Sequence, residues 1–593
     1  MVQKIGIDFG TTNSLISVVT RAGKIKSFDD LGRPHPSVVR YESDKIICGK
    51  IAKDKLDQHG IGVLGNTVRG PKKLLGCSDV NVEGRLLSPT EVVTDYIRYL
   101  VGHARDEDDE ESADLANAVV TIPVAMGGRE RQVLREALLN AGVYVESFVH
   151  EPLAALYGYF RDQENPKEAL RRFEGKIVLV FDWGGGTLDL TLCKVVNGNI
   201  LQILNRGNNS VGGDYLDDAI QKYVEQKHAD QHGWDEENRL ERNPGMLAKL
   251  QGACERAKIT LSTHEKTSIF VPDYYIGEGD ESEIDYWLTR DELEVISQRL
   301  IRQGINEIDA LLADDQADID RQTIALCLAT GGMVNMPLIK RHLSELFGIA
   351  SLEVSKKGDR IISEGAAWIA SDELKLTLSK PLELLEARNS MLTIIPEGTL
   401  LPTRGKSISY PQSMYCTDPR DGNAIASFKR PQMVGKTAAA DPRTNYGELV
   451  IPINPDFPPL EERIELKISI DENLIVHVSG LGGDRQIQCS IEFYDLEFGL
   501  ATTKTLSDSK KKRLKLEGEK KLPYGLMVRA NVTPNKENWE LVPGELLKAY
   551  NDAHSYHRKT LTEQQRTEFV RYQPCSICGA RWAKNCCSGS CKD

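Results

Sequence analysis

The sequence predicts an α/β unit of two related lobes followed by a smaller all-β unit. Three observations carry that prediction. Residues 4–19, KIGIDFGTTNSLISVV, pass from an apolar run through Asp8 and Gly10-Thr11-Thr12 into a second apolar run. Residues 176–196, KIVLVFDWGGGTLDLTLCKVV, repeat the arrangement with Asp182, Gly184-Gly185-Gly186-Thr187 and Asp189. Beyond residue 387, short alternating runs separated by Pro and Gly turns, as at 391–410 and 462–483, read as strands of a sandwich.

Each hairpin follows from its residues. The β-branched run Ile177, Val178, Leu179, Val180, Phe181 reads as a buried strand. Consecutive glycines let the backbone approach a ligand closely, so that N–H groups converge on an anion. Thr187 adds a hydroxyl, while Asp182 and Asp189 add carboxylates able to hold a hydrated divalent cation. That combination suits a magnesium-phosphate group. The two aspartates Asp8 and Asp182 stand 174 positions apart, which suggests two lobes each offering a phosphate loop to one cleft. Neither loop is a G-x-x-x-x-G-K-[ST] loop or a G-x-G-x-x-G turn opening a helix.

Composition bounds the rest. A chain of 593 residues is too long for one core. A formal net charge of −13 argues against a global affinity for nucleic acid or anionic lipid. No apolar run is long enough to span a bilayer, and the chain enters a strand at once without a signal-peptide core, so a cytoplasmic location is expected. Seven of the 12 cysteines are scattered singly, which suits reduced core thiols. The other five lie in the last 19 residues. There Cys575, Cys578, Cys587 and Cys591 offer a tetrahedral zinc set, with Cys586 as an alternative third ligand.

Between these landmarks the periodicity predicts a capped amphipathic helix over 88–104 and a solvated acidic loop over 106–114. Residues 116–160 read as strand, Pro123, helix, strand and then Glu151-Pro152. Gly212-Gly213-Asp214 precede a helix and form another anion site. Glu255, Lys258 and Ser262 fall on one stripe of a helix over 250–262. A strand, Gly331-Gly332 and a helix follow. Residues 506–521 are strongly basic, and read as a solvated linker, a charged helix, or a local contact for nucleic acid or an acidic partner. Residues 543–572 are helical in pattern.

The segments IGIDFGTTNS and VFDWGGGTLDL resemble the phosphate loops of the actin/hexokinase/70-kDa heat-shock ATPase superfamily, and the chaperone branch most of all. The resemblance implies an actin-like two-lobed ATPase domain with duplicated ribonuclease-H-like cores and an all-β sandwich, ahead of a short α/Cys-rich C-terminal region. The implied boundaries are 1–370, a linker at 371–386 and a substrate-binding sandwich at 387–500; a basic and helical region at 501–572 and the Cys-rich zinc knuckle at 573–593, which is not part of the usual family plan, follow from the residues themselves. The alternating Leu374, Leu376 and Leu378 could instead open the sandwich.

By the same resemblance, ATP or ADP with Mg²⁺ sits between Gly10, Thr11, Thr12, Asn13 and Gly184, Gly185, Gly186, Thr187. Lys72, in GNTVRGPKKLLG, reaches the γ-phosphate, and Glu151 holds the attacking water or the cation's water shell. Asp8 and Asp182 hold magnesium through water, and Thr187 assists. Gly212, Gly213, Asp214, Gly331, Gly332 and Asp359 complete the nucleotide contacts, and Glu255, Lys258 and Ser262 grip adenosine. Pro123 and Arg131 match residues that relay nucleotide state. The implied partners are unfolded polypeptide clients, a J-domain co-chaperone and a nucleotide exchange factor. Three departures stand out: Asn335 where the family has an arginine beside the base, Met333 in place of a small hydroxyl residue, and Ser147 where an arginine commonly meets the J-domain. These keep open a nucleotide-switched scaffold for a dedicated partner and, further off, a small-molecule kinase of the same fold.

Overall fold

The computed structural model describes residues 3–501 apart from 60–64, 83, 109–112, 236, 314–318, 359, 387–389, 418, 433, 435–442, 458–460 and 483–486, together with 513–515 and 527–529. The chain divides into two compact units, one covering residues 1–375 and the other opening at Leu376. The predicted zinc ligands Cys575, Cys578, Cys587 and Cys591, the helical pattern at 543–572 and Asp359 lie outside the described residues.

In the first unit the two predicted hairpins anchor two sheets of one topology. The first sheet runs Tyr144–His150, Ala113–Ile122, Gln3–Phe9, Asn13–Val19, Ile25–Phe28. Its first three strands are mutually parallel, and the remaining pairings are antiparallel. The second repeats this order and these directions with Leu352–Val354, Ile324–Thr330, Ile177–Trp183, Leu188–Val196 and Asn199–Asn208. Their central strands carry near-continuous buried runs, as parallel strands enclosed on both faces do. The duplication inferred from two loops therefore extends to whole sheets.

Helix ends obey the local code. The helix Pro89–Glu107 begins at Ser88, whose hydroxyl accepts from Glu91 N–H while the Glu91 carboxylate accepts from Ser88 N–H. It extends one turn past the predicted end, so that Asp106 and Glu107 of the acidic run are helical. The helix Arg360–Ser371 packs on Glu151–Arg161 through Gly365, where a Cβ would lie 1.9 Å from the Ala154 carbonyl oxygen. Only glycine permits that approach.

The second unit pairs its strands in two antiparallel sheets. One runs Arg443–Pro452, Asn423–Pro431, Leu382–Glu386, Ser390–Ile395, Arg513–Lys515. The other runs Gln488–Phe493, Val476–Gly482, Arg463–Ile470, Ile408–Cys416, Met527–Arg529. The strand Arg463–Ile470 alternates exposed and buried residues, as RIELKISI predicts. Phe428 of one sheet meets Phe493 of the other with ring centroids 5.5 Å apart. Within the segment expected to be linker, Leu382–Glu386 is a wholly buried strand of the first of these sheets. Within the basic stretch, Arg513–Lys515 pairs with Ser390–Leu392.

No helix among the described residues is long and apolar enough to cross a membrane. Replacing Gly365 with valine should cost roughly 1–3 kcal/mol or more, because the clash is with backbone. Urea unfolding of G365V against wild type measures it; equal midpoints would refute the packing described.

Candidate functional site

The strand-turn-strand at Gln3–Phe9 and Asn13–Val19 ends in a loop fixed from outside. Ser37 Oγ donates to the Gly10 carbonyl at 2.9 Å, and Ser37 N–H donates to the Thr12 carbonyl at 2.8 Å. The second loop is closed by Gly184 N–H donating to the Thr187 carbonyl at 2.9 Å. Gly213 and Asp214 N–H groups, at the start of the helix Gly213–His232, donate to the carbonyls of Gly184 and Gly185 at 3.2 and 2.8 Å. The loops face one another closely: a Cβ on Gly185 would lie 2.0 Å from Thr12 Oγ1. Glycine is required there by contact, not by its φ.

Between the loops lies a cleft of about 470 Å³. Its lining contains Asp8, Gly10, Thr11, Thr12, Asn13, Lys72, Glu151, Asp182, Gly184, Gly185, Gly186, Thr187, Gly213, Glu255, Lys258, Ser262, Gly331 and Gly332, as expected of the nucleotide-site residues. Gly212 and Asp214 stand apart from that lining. Gly212 packs under the Gly185 carbonyl, and Asp214 accepts from Lys73 Nζ at 2.5 Å. Both brace the second loop.

At the floor, Lys72 emerges from the turn Pro71–Leu74 and donates to Glu151 Oε1 at 2.7 Å. Glu151 opens the helix Glu151–Arg161, where the helix dipole favours a carboxylate. Asp8 accepts from Thr121 Oγ1 at 3.0 Å. Asp8, Glu151, Asp182 and Asp189 are all buried. Burial alone would lower the Lys72 pKa, but Glu151, Asp8 and Asp189 outweigh it and hold the ammonium above its ordinary value. Burial and then the Glu151 charge push Asp189 up to about 7. The Lys72 ammonium thus faces Glu151, Asp8 and Asp189, and Asp189 Oδ1 accepts no hydrogen bond. A buried excess of oxygen donors of this kind fits a hydrated magnesium ion.

The outer part of the cleft is spanned by ion pairs. Glu255 accepts from Lys53 Nζ at 2.8 Å and from Arg69 at 3.1 Å, and Arg256 meets Asp57 at 2.5 Å. Lys258 bonds Asp217 at 2.7 Å and the Gly213 carbonyl at 2.9 Å, which ties the helix Leu247–Leu261 to the second loop. Asn335 lines the cleft and donates to the Gly332 carbonyl at 3.3 Å, alongside Met333, Met336 and Lys340. Arg131 is buried, and its Nε donates to the Met126 carbonyl at 3.0 Å.

Sequence reasoning passed over several of these groups. Ile259, Thr263, Met336, Lys340 and Ile362 also line the cleft. Ile259 was within reach of the stripe argument, since it stands four residues beyond Glu255. Asp189 is the register partner of Asp182, whereas Asp8 pairs with Leu15, so the second hairpin carries one more carboxylate than the first. Among the described residues, no group of three or more His, Cys, Asp or Glu side chains is close enough to hold a metal directly. Magnesium held through water, as expected, needs no such group.

Two duplicated sheets presenting facing glycine loops, with a lysine–carboxylate cluster between them, define a two-lobed phosphate-binding protein. The sequence model of the Hsp70 protein family matches residues 4–79 and 77–521. The chain therefore belongs to the Hsp70 family, whose members are ATPases. Among curated proteins it is 28% identical over 494 residues to the chaperone protein DnaK of Thermotoga petrophila, covering 80% of this chain and 77% of that relative. It is 28% identical over 493 residues to the DnaK of Thermosipho melanesiensis, with the same coverage.

Asp189 binds more protons folded than unfolded between its ordinary value near 4 and about 7, so its contribution to stability falls as pH rises through that window. Asp189→Asn should flatten this slope and raise the melting temperature of the nucleotide-free protein at pH 8. A melting temperature below wild type at pH 8 and a persisting slope would contradict the assignment.

Proposed function

We propose that this protein is an ATP-dependent chaperone of the Hsp70 type that couples Mg-ATP hydrolysis to holding and releasing extended polypeptide segments. The observation that carries the reading is the Lys72–Glu151 pair set between two facing glycine loops, in a chain of this family.

In this reading Thr11, Thr12 and the N–H groups of residues 184–187 cradle the phosphates, with Gly213 behind them. Asp8 and Asp182 hold the magnesium water shell with Asp189 nearby. Magnesium, when bound, screens the phosphate charge and orders its oxygens. Lys72 offsets charge on the transferring phosphoryl group, and Glu151 orients the attacking water. Glu255, Lys258 and Ser262 position adenosine. Met333 and Asn335 leave the base without a guanidinium, so recognition rests more on phosphate than on adenine. The two-sheet unit would hold an extended segment, and J-domain and exchange-factor partners follow from the family.

The half-buried Ser147, on the strand Tyr144–His150, and Asn335 favour a second reading in which the same ATPase grips one dedicated partner. Steady-state hydrolysis with and without an extended apolar peptide separates the two. Coupled chaperoning predicts a slow basal rate raised by peptide. Lys72→Ala should lower it by about 10²–10³-fold while nucleotide still binds. A wild-type rate indifferent to peptide would support the dedicated scaffold, and a variant as active as wild type would remove Lys72 from the chemistry.

A further inference from the structure

Ser37, outside the cleft, holds two parts of the site at once. It donates to the Gly10 and Thr12 carbonyls of the first phosphate loop, and its Oγ meets Ser14 Oγ at 2.9 Å. On its other side the Ser37 carbonyl accepts from Gly70 N–H at 2.8 Å. Gly70 immediately precedes the turn Pro71–Leu74 that carries Lys72. Whatever fixes Ser37 therefore fixes both the loop and the lysine.

The two-residue strand His35–Pro36 leads into Ser37 and pairs with Asn13 and Ser14. Its anchor is the helix Pro89–Glu107. Tyr96 Oη donates to the His35 and Pro36 carbonyls at 3.1 and 3.0 Å. The buried His35 ring is bonded at both nitrogens, Nε2 to the Phe28 carbonyl at 3.0 Å and Nδ1 to Tyr99 Oη at 2.9 Å. A carbonyl only accepts, so Nε2 carries the proton, and in the neutral ring Nδ1 accepts from Tyr99. A second proton must enter at Nδ1, where it takes the place of the tyrosine hydrogen.

The titratable and charged groups around the ring come from three sides. The helix brings Tyr96, Tyr99 and His103, whose ring centroid lies 4.4 Å from that of His35 and whose Nε2 is 3.3 Å from Glu107. The loop after Ile25–Phe28 brings Asp29, paired with Arg360 at 3.0 Å, and Asp30. Cys48 stands beside Tyr99. Burial first, and then His103, hold the His35 pKa below its ordinary value, against the Phe28 carbonyl and the two aspartates. The ring is neutral at pH 7, and its charge appears only as pH falls.

We propose that His35 is a positioning residue for phosphate binding. Its neutral ring, held between Phe28 and Tyr99, keeps residues 35–37 clamped on the first phosphate loop and on the Lys72 turn, and a second proton loosens both. The effect on nucleotide rests on the ATPase reading, whereas the clamp itself does not.

Two measurements on the full-length chain between pH 8 and 5.5 test this. One is Mg-ADP affinity by calorimetry. The other is amide hydrogen exchange of the nucleotide-free protein at residues 8–14 and 66–72, corrected for the intrinsic effect of pH. His35→Gln keeps an N–H for the Phe28 carbonyl and cannot titrate in this range. On acidification, wild type should lose about fivefold more affinity than H35Q, with faster exchange at both segments in wild type alone. Tyr99→Phe removes the hydrogen that favours the neutral ring, so it should move the onset of loosening to higher pH. That variant keeps the test open if H35Q fails to fold. Exchange that responds to pH alike in wild type and H35Q, an onset unmoved in Y99F, or affinity that falls alike in wild type and H35Q would overturn the proposal. The expected exchange pattern in a chain that binds no ADP at pH 7.5 would overturn the ATPase reading and keep the clamp.

Discussion

The buried Lys72–Glu151 pair, with Asp8, Asp182 and Asp189 buried nearby, sits between two glycine loops, and the surrounding structure depends on that cluster. A lone pair such as Lys72 with Glu151 could be satisfied by its own geometry. Asp8, Asp182 and Asp189 are buried beside that pair, and burial with the Glu151 charge pushes Asp189 up to about 7. The fold brings these groups together from the ends of three strands and the first turn of a helix, so both sheets must keep their register for the cluster to exist. Gly365, pressed on the backbone of Glu151–Arg161, holds the helix that carries Glu151 against the helix Arg360–Ser371.

Closure is a separate matter, handled at longer range. Lys53 and Glu255 are 202 residues apart in sequence and 2.8 Å apart in space. Lys53 is partly exposed and Glu255 is buried, so the contact is largely enclosed. Lys258, bound to Asp217 and to the Gly213 carbonyl, ties the helix Leu247–Leu261 to the start of the helix Gly213–His232, whose first N–H groups hold the second glycine loop.

Much of this was legible in the sequence, because each hairpin is a local pattern: an apolar strand, an Asp, a Gly-rich turn, a strand. The Ser88 cap and the alternation in Arg463–Ile470 were equally local. What escaped was non-local or depended on direction. Gly212 and Asp214 follow an anion-site pattern, yet Gly212 packs under the Gly185 carbonyl, the Asp214 N–H donates to that same carbonyl, and the Asp214 carboxylate pairs with Lys73. Met336 and Lys340 enter the lining only because the turn after Gly331 aims that segment inward. Leu382–Glu386 reads equally as linker or strand until its partners at Ser390–Ile395 and Asn423–Pro431 are known.

The central claim is that the carboxylate cluster between the loops is a seat for a magnesium-bound phosphate chain. The most direct measurement is ADP affinity by calorimetry, with Mg²⁺ and with EDTA, for wild type and Asp182→Asn. The account predicts that Mg²⁺ tightens binding by at least tenfold in wild type and by far less in the variant. Equal affinities with and without Mg²⁺ in wild type would contradict it.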